Sequence, residues 1–202
     1  FRRMRTLIVI FVCLALLYLR IPDAFNEPRF WAEDGAVFFS GWRSDGWASI
    51  WQPYSGYIHL LPRMIAATAA QFPVEFAACI YLWASVAATC WVGVIISRAF
   101  RGWVGFAAAA APLIAAGSTE TLGSPTNLQW IMAIGIACIV GSVIEKRWDG
   151  RGIFLVTASL SGPFSVFATP AFMVRALVAY RSRVWGELGI STAVILCGFI
   201  QA

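Results

Sequence analysis

The sequence predicts an all-α protein, a polytopic bundle of transmembrane helices, and two observations support this. Hydrophobic residues fill 60% of the 202 positions and charged residues only 12%, whereas soluble domains average about 25% charged residues. The mean hydropathy is +0.75, and the apolar residues form long runs that shorter polar segments separate. We therefore expect residues 1–202 to be a single transmembrane module, a piece of a longer protein.

The first apolar run, Thr6 to Leu19, follows three arginines and predicts a transmembrane helix that ends near Pro22. A secretory signal peptide begins in the same way, but Arg20 and the residues after it offer no cleavage site of small residues. More apolar runs follow, so we expect this helix to stay in the membrane.

Two helices are predicted next, the first of which begins within the end of a polar stretch at residues 23–63. Ile58 to Phe72 predicts a helix that places His59 and Arg63 one turn apart on one face, with Pro73 as its end. Val74 to Ser97 is long enough to span about 30 Å of hydrocarbon at about 1.5 Å per residue.

The next runs are shorter. Trp103 to Ala116 is rich in alanine, whose small side chain allows close helix packing. A polar turn from Gly117 to Asn127 separates it from a returning helix, Leu128 to Ile144. A last helix is expected to begin at Leu188.

The segment Gly152 to Tyr180 allows two interpretations. Basic residues lie on both sides of it, and Gly162-Pro163 interrupts it. A single crossing would place the two sides across the membrane from each other. Two short helices that meet at Gly162-Pro163 keep both ends inside, and broken helices are tolerated where they line a cavity. We favour the hairpin.

The positive-inside rule gives the orientation, because cytoplasmic loops carry an excess of lysine and arginine. Ten basic residues fall on the proposed cytoplasmic side: Arg2, Arg3, Arg5, Arg98, Arg101, Lys146, Arg147, Arg151, Arg181 and Arg183. Four fall on the other side: Arg20, Arg29, Arg43 and Arg63. The amino terminus is therefore expected in the cytoplasm. Residues 23–63 form a first external loop that faces the same side as the turn around Glu120.

The external loop carries adjacent carboxylates, Glu33 and Asp34, directly after the aromatic pair Phe30-Trp31. One interpretation is a helix start, where acidic residues cap the amino end and favour the helix dipole. The other is a general base or a metal ligand, because a carboxylate close to hydrocarbon is costly unless it is paired or functional. The residues alone leave both open.

Other polar side chains of the external side have two interpretations as well. His59 and Arg63 either lie at the membrane interface or hold a phosphate, and Tyr57 belongs either to an aromatic belt or to a sugar-stacking platform. Glu120, with Asn127 and Trp130 nearby, belongs either to a polar turn between helices or to the site, as a second acid on the same side of the membrane.

The five cysteines all lie in apolar runs without a CxxC spacing, which indicates buried small side chains. The net charge of +5 follows the membrane orientation, so no nucleic-acid partner is expected.

The order of these parts resembles the GT-C class of membrane glycosyltransferases, and most of all its uncharacterised bacterial multi-pass members. The residues that carry the resemblance are Trp31-Ala-Glu-Asp-Gly35, Pro53-Tyr-Ser-Gly-Tyr57, His59-Leu-Leu-Pro-Arg63, Glu120, Thr126-Asn-Leu-Gln-Trp130 and Ser161-Gly-Pro-Phe-Ser165. Such enzymes transfer a sugar from a polyprenyl-phosphate lipid at the bacterial cell membrane.

The resemblance implies that Asp34 or Glu33 is the base that activates the acceptor hydroxyl, while Arg63 and His59, or a divalent metal, receive the leaving phosphate. It implies substrate contacts for Tyr57, Glu120, Asn127 and Trp130. The cofactor stays unknown, with a divalent metal as the candidate. The alternatives are a transporter or lipid flippase, for which the broken helix is suited, and a non-catalytic membrane scaffold.

Overall fold

The protein is helical, as the sequence predicts. The computed structural model describes residues 2–115, 119–144 and 150–202, in which no β-strand occurs. The α-helices are α1 Arg2–Arg20, α2 Pro22–Asn26, α3 Ser40–Asp45, α4 Leu60–Ala69, α5 Val74–Ala99, α6 Gly102–Ile114, α7 Leu128–Val140, α8 Arg151–Ser159, α9 Phe164–Arg181 and α10 Trp185–Gln201. A π-helix spans Asp34–Phe39, and 3-10 helices span Gly46–Trp51 and Thr119–Thr121.

The predicted start of α4 was wrong. The helix begins at Leu60, and His59 precedes it with φ −112° and ψ 65°. The reason is Pro62, which has no N–H to donate to the carbonyl of Ile58 and so cannot extend the helix backwards. Gln201 donates to the Ile58 carbonyl instead, at 3.2 Å. His59 therefore lies just outside the helix, but its carbonyl accepts a hydrogen bond from the amide of Arg63 at 3.1 Å, and both side chains pack on the ring of Phe38.

Two other helix ends differ from the expectation. The returning helix α7 ends at Val140, where Gly141 follows, rather than at Ile144. Helix α10 begins at Trp185, about one turn before Leu188, so that Glu187 lies in its first turn. Lys146 and Arg147, which the sequence places on the cytoplasmic side, lie outside the described residues.

Among the described residues, one helix is long and apolar enough to cross a membrane. It is α5, with 26 residues and a mean hydropathy of 2.0 over its most apolar window. Helices α4, α6, α7 and α10 are apolar but shorter. One candidate span is consistent with membrane association, and the polytopic arrangement stays a prediction.

Two arginines fasten α1 to α5 and α6. Near its amino end, Arg5 donates to the carbonyl of Phe100 at 3.0 Å, just beyond α5. At its carboxyl end, Arg20 donates to the carbonyl of Ile114 at 3.1 Å, the last residue of α6. Helix α1 is therefore antiparallel to α5 and parallel to α6.

The segment after residue 150 is a helical hairpin, so the interpretation as two helices is confirmed. Helices α8 and α9 are separated by residues 160–163. The tip of the hairpin reaches the start of α4, where the amide of Leu60 donates to the carbonyl of Leu160 at 2.9 Å. The next amide, of Leu61, donates to the hydroxyl of Ser161 at 2.9 Å.

The open end of the hairpin holds a buried ion cluster. Arg175 contacts Glu187 at 2.5 Å, and Arg151 approaches the other oxygen of Glu187 at 3.8 Å. Arg175 also donates to the carbonyls of Val140 and Ser142, which closes the end of α7. Arg151 was expected among the charges of the cytoplasmic side, but it is buried together with Glu187, because the two neutralise each other.

Candidate functional site

Asp34 is a buried, hydrogen-bonded carboxylate in the polar stretch at residues 23–63. Its carboxylate is 1% exposed and accepts three hydrogen bonds from one short segment. Ser124 Oγ donates to Oδ2 at 3.0 Å, while the amide and hydroxyl of Thr126 donate to Oδ1 at 3.0 and 2.6 Å. Asp34 therefore fastens the polar stretch at residues 23–63 to the turn before α7, and the two lie at the same end of the protein.

The carboxylate of Asp34 does not act as a helix cap. A π-helix begins at Asp34, and no side chain caps its amino end. In this wider helix the amide of Ser40 donates to the carbonyl of Gly35, five residues before it. Such π-helical turns recur at functional sites. The interpretation of the acidic pair as a helix cap is therefore wrong for Asp34.

Aromatic rings bury this part of the loop. The Phe30 ring lies against Gly35, where an added Cβ would come within 3.1 Å of it. Phe30 also packs edge-on against Tyr81 of α5, with ring centroids 5.0 Å apart, and against Phe39 at 5.4 Å. This packing removes Asp34 from water.

Burial raises the pKa of Asp34 from 3.8 to about 6. The hydrogen bonds from Thr126 and Ser124 oppose this by favouring the anion, and the nearby charge of Glu33 adds to the rise. The carboxylate is thus mainly ionised at neutral pH but more basic than an exposed aspartate. That is the property a general base needs.

His59 is buried and neutral. Burial lowers the pKa of its imidazole to about 4, and its ring stacks on that of Tyr57 with centroids 4.3 Å apart. Its Nδ1 lies 3.2 Å from the Tyr57 carbonyl, which makes Nδ1 the protonated nitrogen. In this tautomer Nε2 carries no proton, so His59 offers a phosphate neither a positive charge nor a free N–H donor.

Arg63 is the buried cation of the same loop. It is 3% exposed, donates from Nη2 to the carbonyl of Gln52 at 2.6 Å, and lies over the ring of Phe38 at 5.2 Å. Its Nε has no hydrogen-bond partner among the described residues. Burial lowers the pKa of the guanidinium, but an arginine stays charged at neutral pH.

The hydrogen bonds to Asp34 come from Ser124 and Thr126, and none of the predicted substrate contacts bonds to it. Glu120 is exposed, and its backbone carbonyl accepts a hydrogen bond from the side chain of Asn127 at 2.9 Å. Trp130 is 53% exposed and packs edge-on against Phe164 of α9. Glu33 is partly exposed beside the buried Asp34.

Sequence reasoning did not identify Ser124, and it assigned no role to Thr126. The available signal was two hydroxyl residues around Pro125, immediately before the apolar run that becomes α7. Only the fold brings them to a carboxylate some 90 positions earlier in the chain.

The described residues hold no cluster of metal-ligating side chains. No group of three histidine, cysteine, aspartate or glutamate side chains gathers among them. Both oxygens of Asp34 already accept hydrogen bonds from Ser124 and Thr126.

A cleft of about 590 Å³ opens beside Asp34, between the end of α1, α2 and residues 122–124. Its polar and aromatic wall includes Asp23, Asn26, Glu27, Trp31 and Ser124. Asp34 does not line the cleft itself but lies behind Ser124, one hydrogen bond away.

No protein-family model matches the chain, and no curated protein or solved structure matches it.

Proposed function

We propose that this protein is an integral membrane glycosyltransferase of the GT-C type. It moves a sugar from a polyprenyl-phosphate donor to a hydroxyl acceptor on the non-cytoplasmic face of the cell membrane. The observation that carries the proposal is Asp34, a buried carboxylate with a raised pKa beside a cleft, in a helical protein with a candidate membrane span. The proposal includes the polytopic bundle, with residues 23–63 as its external loop.

Asp34 serves as the general base. It takes the proton of the acceptor hydroxyl as that oxygen attacks the anomeric carbon, and the bond from that carbon to the lipid phosphate breaks. A base works best when its pKa lies near the working pH, because it is then both ionised and basic. The pKa of about 6 meets both conditions at neutral pH.

Arg63 is assigned to the phosphate that leaves. It carries a charge in a desolvated place, where a cation stabilises developing negative charge more strongly than in water. His59 is neutral and its ring proton is bonded to the Tyr57 carbonyl, so His59 supplies the phosphate neither a charge nor a donor.

A transporter is the second candidate, and the hairpin of α8 and α9 favours it. Transporters often contain helices that are broken in the middle, as α8 and α9 are at residues 160–163. The buried ion pair of Arg175 and Glu187 lies at the end of the hairpin away from this break. In that case Asp34 only fastens the external loop to the turn before α7.

The test is Asp34→Asn in membrane vesicles from cells that carry the variant in place of the natural protein. The donors are synthetic short-chain polyprenyl-phosphate hexoses and pentoses with a radiolabelled sugar. The amide keeps the shape and accepts hydrogen bonds, but it does not take up a proton at neutral pH. We expect Asp34→Asn to lose transfer by at least about a hundredfold while the protein still folds.

Two matched variants complete the test. Asp34→Ala removes both the base and the contact with Thr126, whereas Glu33→Gln changes the partly exposed neighbour and should keep activity. Full transfer in Asp34→Asn and in the double variant with Glu33→Gln would reject the enzyme and favour the transporter.

A further inference from the structure

The cleft is the place from which a substrate reaches Asp34. Asp34 is 1% exposed, and Ser124 is the lining residue that bonds to its Oδ2, at 3.0 Å. Thr126 bonds to the other oxygen but does not line the cleft. A proton that leaves a molecule in the cleft therefore has Ser124 on its shortest path to the carboxylate.

The turn at Gly123 fixes the position of Ser124. The φ of Gly123, +80°, lies in the region that favours glycine, and an added Cβ would come within 2.8 Å of Ile21 at the end of α1. The turn thus packs closely against α1 and brings Ser124 between the cleft and Asp34. No larger residue fits this turn without displacing Ile21.

The wall of the cleft is suited to a neutral, hydroxyl-rich molecule. Its charges balance, with Arg20 and Arg29 against Asp23 and Glu27; Arg20 also bonds to the end of α6, and Arg29 pairs with Glu27. Asp23 and Glu27 offer carboxylate acceptors for hydroxyl groups, and Trp31, 39% exposed, offers an aromatic face. The volume lies within the range of about 300–1,000 Å³ that small-molecule sites occupy.

We propose that this cleft binds the saccharide acceptor and that Ser124 relays the acceptor's proton to Asp34. This inference rests on the proposed glycosyltransferase. The acceptor hydroxyl gives its proton to Ser124 Oγ while the Ser124 hydroxyl gives its own proton to Asp34 Oδ2. The acceptor oxygen forms its bond to the anomeric carbon of the polyprenyl-phosphate sugar, and the bond to the lipid phosphate breaks. Ser124 ends as it began, and Asp34 holds the proton.

The relay is tested by comparing Ser124→Ala with Thr126→Val in single-turnover transfer, at a pH where Asp34 is ionised in both. Each variant removes one hydroxyl that bonds to Asp34, and Thr126 makes the shorter bond. A purely structural role predicts that Thr126→Val loses as much activity as Ser124→Ala or more. The relay predicts a loss of at least about tenfold in Ser124→Ala and less than about threefold in Thr126→Val.

A proton inventory in mixtures of H₂O and D₂O gives a second readout that a structural role would not move. With two protons in flight, the rate of the natural protein should depend on the deuterium fraction along a curve, and that of Ser124→Ala along a line. If Asp34→Asn is inactive but Ser124→Ala matches the natural protein, the relay is rejected and the glycosyltransferase stands. If Asp34→Asn is fully active, both are rejected.

The binding site is tested without transfer, by the rate at which a thiol reagent modifies Asn26→Cys in the cleft. The probes are the methyl glycosides of glucose, mannose, galactose and N-acetylglucosamine. The control is Ser44→Cys, an exposed position of α3 that does not line the cleft. At least one glycoside should slow the modification of Asn26→Cys and leave Ser44→Cys unchanged. Equal rates with all four would reject the saccharide site.

Discussion

Asp34→Asn should make the folded protein more stable at neutral pH, which is the opposite of what a structural carboxylate would show. The natural protein binds the Asp34 proton more tightly when folded, since its pKa rises from 3.8 to about 6. Stability from this group is therefore fully present below about pH 4 and is lost as the pH rises through about 6. Asparagine does not titrate, so its variant keeps that stability at neutral pH.

The magnitude follows from the pKa. A rise of about two units corresponds to about 3 kcal/mol at about 1.4 kcal/mol per unit, and we expect about 1–3 kcal/mol after local relaxation. The amide can satisfy the same partners: its oxygen accepts from both donors of Thr126, and its NH₂ donates to Ser124, whose hydroxyl turns.

The assay is thermal unfolding in detergent micelles at about pH 4 and about pH 7, the two sides of the titration. We expect the Tm of Asp34→Asn to exceed that of the natural protein by about 3–10 °C near neutrality and to differ little at the acid pH. Asp34→Ala leaves the donors of Ser124 and Thr126 without an acceptor and should be less stable than Asp34→Asn by at least about 2 kcal/mol. A lower Tm in Asp34→Asn at neutral pH would refute the raised pKa and make Asp34 a stabilising anion.

Two further predictions concern the orientation and the buried ion cluster. An impermeant thiol reagent added outside cells should modify cysteines placed at Asp45 and Glu120 but not at Arg101, three exposed positions; modification at Arg101 alone would reverse the topology. Glu187→Gln should lower stability by about 3–5 kcal/mol, because it leaves Arg175 buried without a counter-charge. The double variant Arg175→Met with Glu187→Leu should be more stable than Glu187→Gln, and equal melting of Glu187→Gln and the natural protein would contradict this.

The helices could be predicted from the sequence because apolar runs and their breakers are local signals. Pro73 separates α4 from α5, as expected. The residues around Gly162-Pro163 separate α8 from α9, also as expected. Boundaries failed where a distant partner decides them. The start of α4 is an example: Pro62 leaves the carbonyl of Ile58 without a helical donor, and the distant Gln201 bonds both backbone groups of Ile58 instead.

The candidate site was only half visible in the sequence. The acidic pair stood out because carboxylates are rare in this chain, but only the fold distinguishes buried Asp34 from partly exposed Glu33. Ser124 carries no signal of its own, since a serine in a turn is ordinary. Burial of Arg151 and Glu187 was equally out of reach, because pairing across α8 and α10 depends on tertiary packing.

The central claim is that Asp34 is the base, and the pH dependence of single-turnover transfer tests it most directly. The natural protein should show a rate that rises with pH along a limb with a midpoint of about 6. Among the groups that lower the pKa of Asp34, the Thr126 hydroxyl has the largest effect, so Thr126→Val should move this midpoint to higher pH. A rate that does not change with pH in this range, or a midpoint that stays in place in Thr126→Val, would contradict the assignment of Asp34 as the base.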